Sequence, residues 1–310
     1  MTSFNRDSTT EEVLSGVNLS GKRILITGGT AGLGWETARS MSSAGAEIII
    51  TARDHAKYQT AASQILEQQA NAQLHFVELS LDDLDSCRAA AKDINSRFDQ
   101  LDYIIANAGV MACEEQQTVQ GFEWQFGVNH LGHFVFVNHL VPLLKAEHCR
   151  VAVLSSGGHR MSDVNLGDPD FKKQPYDKWQ AYGRAKTANA LYAVGLNKRL
   201  PFGNANAVHP GAIATSLSRH MQTEDLVQLG GSMEESGIVM KSVPAGAATQ
   251  VWAVTSPELE GKGGLYLEDC SIGEESDSPV GGYAAYAIDP GSAEKLWQLS
   301  EQLVGETFNF

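Results

Sequence analysis

Residues 23–34 read RILITGGTAGLG, a run of branched apolar side chains that breaks into glycines and leads into WETARSMSSAG at 35–45, a helix-like stretch closed by Gly45. Strand, tight turn and helix is the order these residues imply. Thr27, Gly28, Gly32 and Gly34 fall in a T-G-x-x-x-G-x-G pattern. A turn this tight needs residues without Cβ, and the helix it opens presents unpaired N–H groups and the positive end of its dipole to an anion. Between a strand and a helix, the ligand that such a turn fits is the pyrophosphate of a dinucleotide.

Working outward, apolar runs of strand length recur: AEIIITA at 46–52, LHFVEL at 74–79, LDYIIAN at 101–107, RVAVLSS at 150–156 and ANAVHP at 205–210. Short, nearly continuous Val/Ile/Leu runs mark strands buried on both faces, hence a parallel sheet. Between the earlier runs lie HAKYQTAASQILEQQAN, rich in Ala and Gln, and LDDLDSCRAAAKDINSRF, whose acidic start suits a helix N-terminus. The alternation predicts an α/β Rossmann fold, a doubly wound parallel sheet of about seven strands with helices on both faces. No Pro/Gly/Ser linker or repeat period interrupts it, so residues 19–310 are expected to form a single domain behind an N-terminal arm at 1–18. Polar insertions at 157–175 and 216–244 are long for a compact domain, and loops of that length commonly carry function.

Composition narrows the function. Lys plus Arg number 23 against 37 Asp plus Glu, and the net charge of −14 repels nucleic acid and anionic membrane alike, so neither is an expected partner. With 43% hydrophobic and 19% charged residues, the chain can build a core and is not a disordered tail. No run reaches the ~18 apolar residues of a membrane span, and the opening MTSFNRDSTTEE lacks the basic and apolar regions of a signal peptide. Cys87, Cys113, Cys149 and Cys270 are scattered without a CxxC pair, which argues against a zinc knuckle or a disulfide framework. A cytoplasmic protein is expected. His130, His133 and His139 lack the spacing and the carboxylate of a zinc helix, so they read as structural and no metal is expected.

The end of the second strand chooses between dinucleotides. A carboxylate there would bind the ribose hydroxyls and repel a 2′-phosphate, whereas an arginine would pair with that phosphate. The sequence reads IIITARD, with Ala52 and Arg53 where an acid would otherwise stand and Asp54 just beyond. NADP(H) is the expected cofactor and NAD(H) the alternative.

Further along, YGRAK puts Tyr182 and Lys186 one helical turn apart. NAG ends the fourth apolar run at 107–109, VNHLGHF carries Asn129, Ser155 and Ser156 end the fifth run, and HPG follows at 209–211. With the glycine loop, these motifs in this order resemble the classical short-chain dehydrogenase/reductase family over residues from about 20 to 270. GGLYLEDC and DPGSAEKLWQLSE are similar to the subgroup of retinol dehydrogenases and WW-domain oxidoreductases. The resemblance implies a catalytic tetrad of Asn129, Ser156, Tyr182 and Lys186, the serine being the second of its pair. It also implies cofactor contacts at Thr30 and Leu33, at Leu81, at Asn107, Ala108 and Gly109, and at Pro210, Gly211 and Thr215, with Tyr182 and Lys186 touching the cofactor too. Ser80 is a departure, standing where the family commonly has an aspartate beside the adenine, which leaves the neighbouring Leu81 for that contact.

The chemistry expected is hydride transfer between NADP(H) and a hydrophobic ketone or aldehyde, or the corresponding alcohol, with Tyr182 as general acid/base. A unit charge on Lys186 at ~5 Å, with an effective dielectric of about 20, is worth ~3 kcal/mol, enough to lower a tyrosine by about two pKa units. Ser156 would hydrogen-bond the carbonyl oxygen, and Asn129 would hold a water linking Lys186 to solvent. A non-enzymatic dinucleotide sensor or scaffold on the same fold is the alternative, although a sensor would be expected to lack the Tyr or the Lys. An epimerase of the extended branch would have T-G-x-x-G-x-x-G, and SSGGH lacks the G-x-S-x-G of a hydrolase elbow. HLGHFVFVNHLVPLL and YGRAKTANALYAVGLNKRL carry apolar residues on more faces than a sheet covers, which predicts a homodimer or homotetramer. The interleaved apolar and polar residues of 216–244 predict a substrate lid.

Overall fold

The computed structural model describes residues 4–145, 147–215, 217, 239–278 and 280–310. Strands β1 (Arg23–Thr27), β2 (Glu47–Ala52), β3 (Gln73–Glu78), β4 (Tyr103–Ala106), β5 (Arg150–Leu154) and β6 (Asn204–His209) fall on the six apolar runs. With β7 (Tyr266–Glu268) and β8 (Ser271–Ile272) they make one sheet in the order β3-β2-β1-β4-β5-β6-β7-β8, parallel throughout except for the β7–β8 pair. Thr27 lies opposite Thr51, and Ile26 opposite Ile105, so the carboxyl ends of the central strands finish along one edge. The strand order reverses between β1 and β4, and that switch opens a crevice at the edge. Ile24, Leu25, Ile26, Ile48, Ile49 and Ile50 are all fully buried, as a sheet covered on both faces requires.

The helices make the two covering layers. A short helix, α1 (Thr10–Val13), is closed by a Thr9–Glu12 capping box. Then come α2 (Gly32–Ser43), α3 (His55–Gln68) and α4 (Leu84–Arg97), the last two capped by Asp54 and Asp83. Next, α5 (Trp124–Phe126) and α6 (Gly132–Asn138) form one helical run joined by a π turn, Gly127–Leu131, that contains Asn129. Such turns interrupt regular helices most often at functional sites. The long α7 (Lys178–Arg199) starts from an Asp177 cap, and α8 (Val243–Thr255) and α9 (Pro290–Val304) complete the described helices. One core lies between the sheet and α4, α6 and α7, and a second between the sheet and α2 and α8. Through Thr10 and Val13, α1 packs onto α2 and α8.

All seven residues of α6 are buried, and so is most of α7. The cover is supplied by α9 and the residues after it. Phe134 of α6 meets Trp297 of α9 with ring centroids 4.9 Å apart and Phe308 at 5.5 Å, while Tyr192 of α7 stacks on Trp297 at 5.9 Å. The surplus apolar faces from which a homodimer or homotetramer was expected are therefore covered within the chain, which removes the sequence argument for pairing these two helices between subunits. Of the expected lid, 216 and 218–238 lie outside the described residues. No helix among the described residues is long and apolar enough to cross a membrane.

Candidate active site

The carboxyl edge of the sheet opens into a cavity of about 1370 Å³. The glycine loop forms part of its wall, and Gly28, Thr30, Gly32, Leu33 and Gly34 all line it. Gly28 and Gly32 hold φ of +68° and +55°, in the left-handed region that side chains disfavour. Gly34 is the tightest point, because a Cβ there would stand 2.4 Å from the Gly28 carbonyl oxygen and 2.6 Å from Asn107 Nδ2. Ala31 starts α2 without a side-chain cap, leaving the first N–H groups of the helix to a ligand. Opposite the loop, Asn107 Nδ2 donates to the Thr27 carbonyl at 2.8 Å and the Ala108 N–H donates to Thr27 Oγ1 at 2.9 Å. A narrow cradle of backbone, closed to any Cβ at Gly34, fits the pyrophosphate of a nicotinamide dinucleotide.

At the far end of β2, Arg53 and Lys57 line the cavity. Asp54 turns its carboxylate to α3, where Oδ1 accepts the Ala56 N–H at 2.8 Å. Leu81 also lines the cavity, as does Asp82, whose carboxylate accepts the Ser80 hydroxyl at 2.6 Å. A carboxylate thus stands at the cavity two positions after Ser80.

Ser156, Tyr182 and Lys186 meet where β5 ends and α7 passes. The approach depends on small residues: a Cβ on Gly183 would lie 2.8 Å from the Ser162 nitrogen, and one on Gly158 would lie 2.5 Å from Cε1 of the Tyr182 ring. Ser156 hydrogen-bonds Tyr182, and its Oγ accepts the Gly158 N–H at 3.0 Å. Ser155 turns away and donates to the Lys186 carbonyl at 2.8 Å. Lys186 Nζ donates to the Leu154 carbonyl at 3.1 Å and stands 5.8 Å from the centre of the Tyr182 ring. Pro210, Gly211 and Thr215 line the cavity nearby, Thr215 on the side of Gly32.

Asn129 is the tetrad member that does not line the cavity. It is fully buried, with Nδ2 donating to the Val110 carbonyl at 2.9 Å and Oδ1 accepting the Val110 N–H at 2.8 Å. Its amide therefore grips the loop after β4.

The electrostatics also depart from expectation. Tyr182 and Lys186 are both buried, and burial pushes the tyrosine up to about 12, against the opposing hydrogen bond from Ser156, and the lysine down to about 8. The anticipated lowering of Tyr182 by Lys186 is outweighed by the cost of ionising a phenol away from water. Tyr182 consequently keeps its proton at neutral pH, and Lys186 is mostly an ammonium.

Sequence reasoning singled out the segments 157–175 and 216–244 but not the individual residues of the remaining cavity wall. Met111, Trp124, Met161 and Trp179 form an apolar side. In the same lining, Arg160 is tied to the carbonyls of Ser276 and Gly281 at 2.7 and 2.8 Å, and buried Lys241 pairs with Asp269 at 2.5 Å. Asp269 and Cys270 both have positive φ in a two-residue turn between β7 and β8, a geometry usually given to Asn-Gly. Also unforeseen, His159 donates from Nδ1 to the Ser156 carbonyl at 2.7 Å and accepts the Ala284 N–H at Nε2, 3.0 Å away. These residues are scattered from 111 to 284, and apart from GGLYLEDC and the insertions at 157–175 and 216–244 no local pattern marks them.

The family model for short chain dehydrogenase matches residues 22–226. A short-chain dehydrogenase/reductase, prx1, from Penicillium roqueforti is 38% identical over 93% of this chain and 86% of its own length. Human retinol dehydrogenase 14 is 38% identical over 93% of this chain and 87% of its own, and a probable oxidoreductase of Streptomyces lividans is 38% identical over 91% and 97%. A solved but uncharacterised protein of Mycobacterium paratuberculosis superposes with a TM-score of 0.74 at 31% identity, covering 98% of this chain and 100% of that one. With the WW domain-containing oxidoreductase of Gallus gallus 35% identical over 98% of this chain and 73% of its own length, the chain belongs to the short-chain dehydrogenase/reductase family of oxidoreductases, in the neighbourhood of the retinol dehydrogenases and WW-domain oxidoreductases.

Proposed function

We propose that this protein is an NADP(H)-dependent oxidoreductase that interconverts a hydrophobic ketone or aldehyde and the corresponding alcohol. The observation that carries the reading is the convergence of Ser156, Tyr182 and Lys186 on the same cavity as the glycine cradle. The bound cofactor supplies the hydride. Tyr182, protonated because it is buried, delivers a proton to the carbonyl oxygen, and Ser156 donates a hydrogen bond to that oxygen as charge develops. Lys186 holds a positive charge beside the tyrosine, so that the phenolate left behind is met by an ammonium. Asn129 keeps the loop under Gly109 in place.

Preference for NADP(H) is supported by Arg53 and Lys57 at the end of β2, with Asp54 engaged in capping α3. A hydrophobic substrate is supported by the Met and Trp wall, since the charges of Arg160 and Lys241 in the same lining are already paired inside the protein. The deciding experiment is NADPH consumption over a panel of apolar ketones and aldehydes, with Tyr182→Phe beside the wild type. Turnover that disappears in the variant while NADPH affinity is retained is the expected result. Tight NADPH binding with no turnover on any carbonyl would replace this reading with a non-enzymatic sensor or scaffold.

A further inference from the structure

Thr27 ends β1, Ala108 and Val110 follow β4, Asn129 lies in the π turn and His133 is in α6. Hydrogen bonds join these places in a closed circuit. The Ala108 N–H donates to Thr27 Oγ1 at 2.9 Å and the Val110 N–H to Asn129 Oδ1 at 2.8 Å. His133 closes the gap, with Nε2 2.9 Å from Thr27 Oγ1 and Nδ1 3.0 Å from the Asn129 carbonyl oxygen. The partners fix every donor. A carbonyl only accepts, so Nδ1 carries the proton. The imidazole is fully buried near Lys186 and is held neutral, its pKa pushed down to about 4 by burial, so Nε2 is bare and takes the Thr27 hydroxyl proton. That leaves the Thr27 oxygen free to accept from Ala108, and one tautomer satisfies the whole circuit.

We propose that His133 is a positioning residue that closes this circuit and thereby sets the Asn107–Val110 loop at its working distance from Lys186. The inference rests on the proposed function. Gly109 is the point of contact, since a Cβ there would meet Asn129 Oδ1 at 2.9 Å and Lys186 Nζ at 3.4 Å. The loop is held at Asn107 and Ala108 by Thr27 and at Val110 by Asn129, and His133 is the side chain that bonds both anchors. Without it, each anchor loses a buried partner and the loop can drift relative to the lysine. His130, three residues earlier and just as buried, is tied to Ser300 of α9 instead and touches neither anchor. It serves as the control for burial without the circuit.

The test is amide hydrogen exchange of the 107–111 segment in the intact protein without cofactor, together with kcat and NADPH affinity. His133→Leu is expected to speed exchange there by about tenfold and to lower kcat by a similar factor, whereas His130→Leu lowers Tm and leaves exchange at 107–111 as it was. His133→Asn, whose amide N–H replaces Nδ1–H toward Asn129 but leaves Thr27 without a partner, is expected to recover only part of both losses. Unchanged exchange in a folded His133→Leu protein, or equal acceleration in His130→Leu, overturns the proposal. Should the leucine variant not fold, His133→Asn and His133→Gln decide, since each can restore only one of the two contacts, and exchange as slow as wild type in both overturns the proposal. Exchange that behaves as expected in an enzyme with no carbonyl turnover sinks the proposed function and leaves the positioning role standing.

Discussion

Gly158→Ala is a single methyl placed against the candidate proton donor. The backbone there is not left-handed, so alanine is tolerated locally, but its Cβ would lie 2.5 Å from Cε1 and 2.8 Å from Cδ1 of Tyr182, against 3.4–4 Å for ordinary contact. The buried ring has to move by about 1 Å, carrying its hydroxyl away from Ser156. A displacement of that size in reacting groups costs about a hundredfold in rate, or about 2.7 kcal/mol of activation free energy. NADPH affinity should stay within about threefold, because the glycine cradle is not touched. Steady-state kcat on the best carbonyl of the panel and NADPH affinity by fluorescence titration give the two numbers. Gly167→Ala, whose nearest neighbour to a new Cβ is 3.6 Å away, serves as the silent control. A Gly158→Ala enzyme with kcat within about threefold of wild type would show that the tyrosine is not held by this contact, and a parallel loss of NADPH binding would show general distortion instead.

Arg53→Asp should lower the NADPH-to-NADH ratio of kcat/KM by at least about tenfold, since it deletes a charge-assisted phosphate bond and adds repulsion; a wild type that already prefers NADH refutes the assignment. Lys186 loses its proton as pH rises through about 8, so the reduction rate should fall on the alkaline side of that value, and a kcat profile flat to about pH 10 would contradict the role given to its charge. Lys186→Ala should weaken NADPH binding as well as turnover, and unchanged affinity in a titration would remove the cofactor contact. Trp297→Ala should cost about 3–5 kcal/mol in denaturant unfolding, because the indole is almost wholly buried against Phe134 and Tyr192; a loss under about 1 kcal/mol would mean that α9 contributes little cover.

Six strands were legible as short apolar runs, most of them rich in Val, Ile or Leu and buried on both faces, and the glycine loop because backbone contact at Gly34 admits no other residue. Tyr182 and Lys186 were legible as a pair one helical turn apart, whereas Ser156 was picked out by the family resemblance. What one element cannot display stayed hidden. The apolar wall collects Met111, Trp124, Met161 and Trp179 from separate segments, and β8 is a two-residue strand with no periodicity to read. The ionisation of Tyr182 was misjudged because a pairwise estimate from Lys186 omits burial, which only the packed chain supplies. The sequence argument for α7 in assembly counted its apolar faces without α9, which covers them within the chain.

The cover that α9 gives to α6 and α7 has a consequence during synthesis. Trp297 is added about 105 residues after Tyr192, which at 5–20 residues per second is a delay of roughly 5–20 s on the ribosome. For that interval the aromatic faces of Phe134 and Tyr192 have been made but not sealed, and they are available to chaperones or to another nascent chain. A stall or frameshift between residues 273 and 289 therefore leaves a chain that holds every described strand and every candidate catalytic residue, yet lacks the part that keeps its interior from sticking to its neighbours.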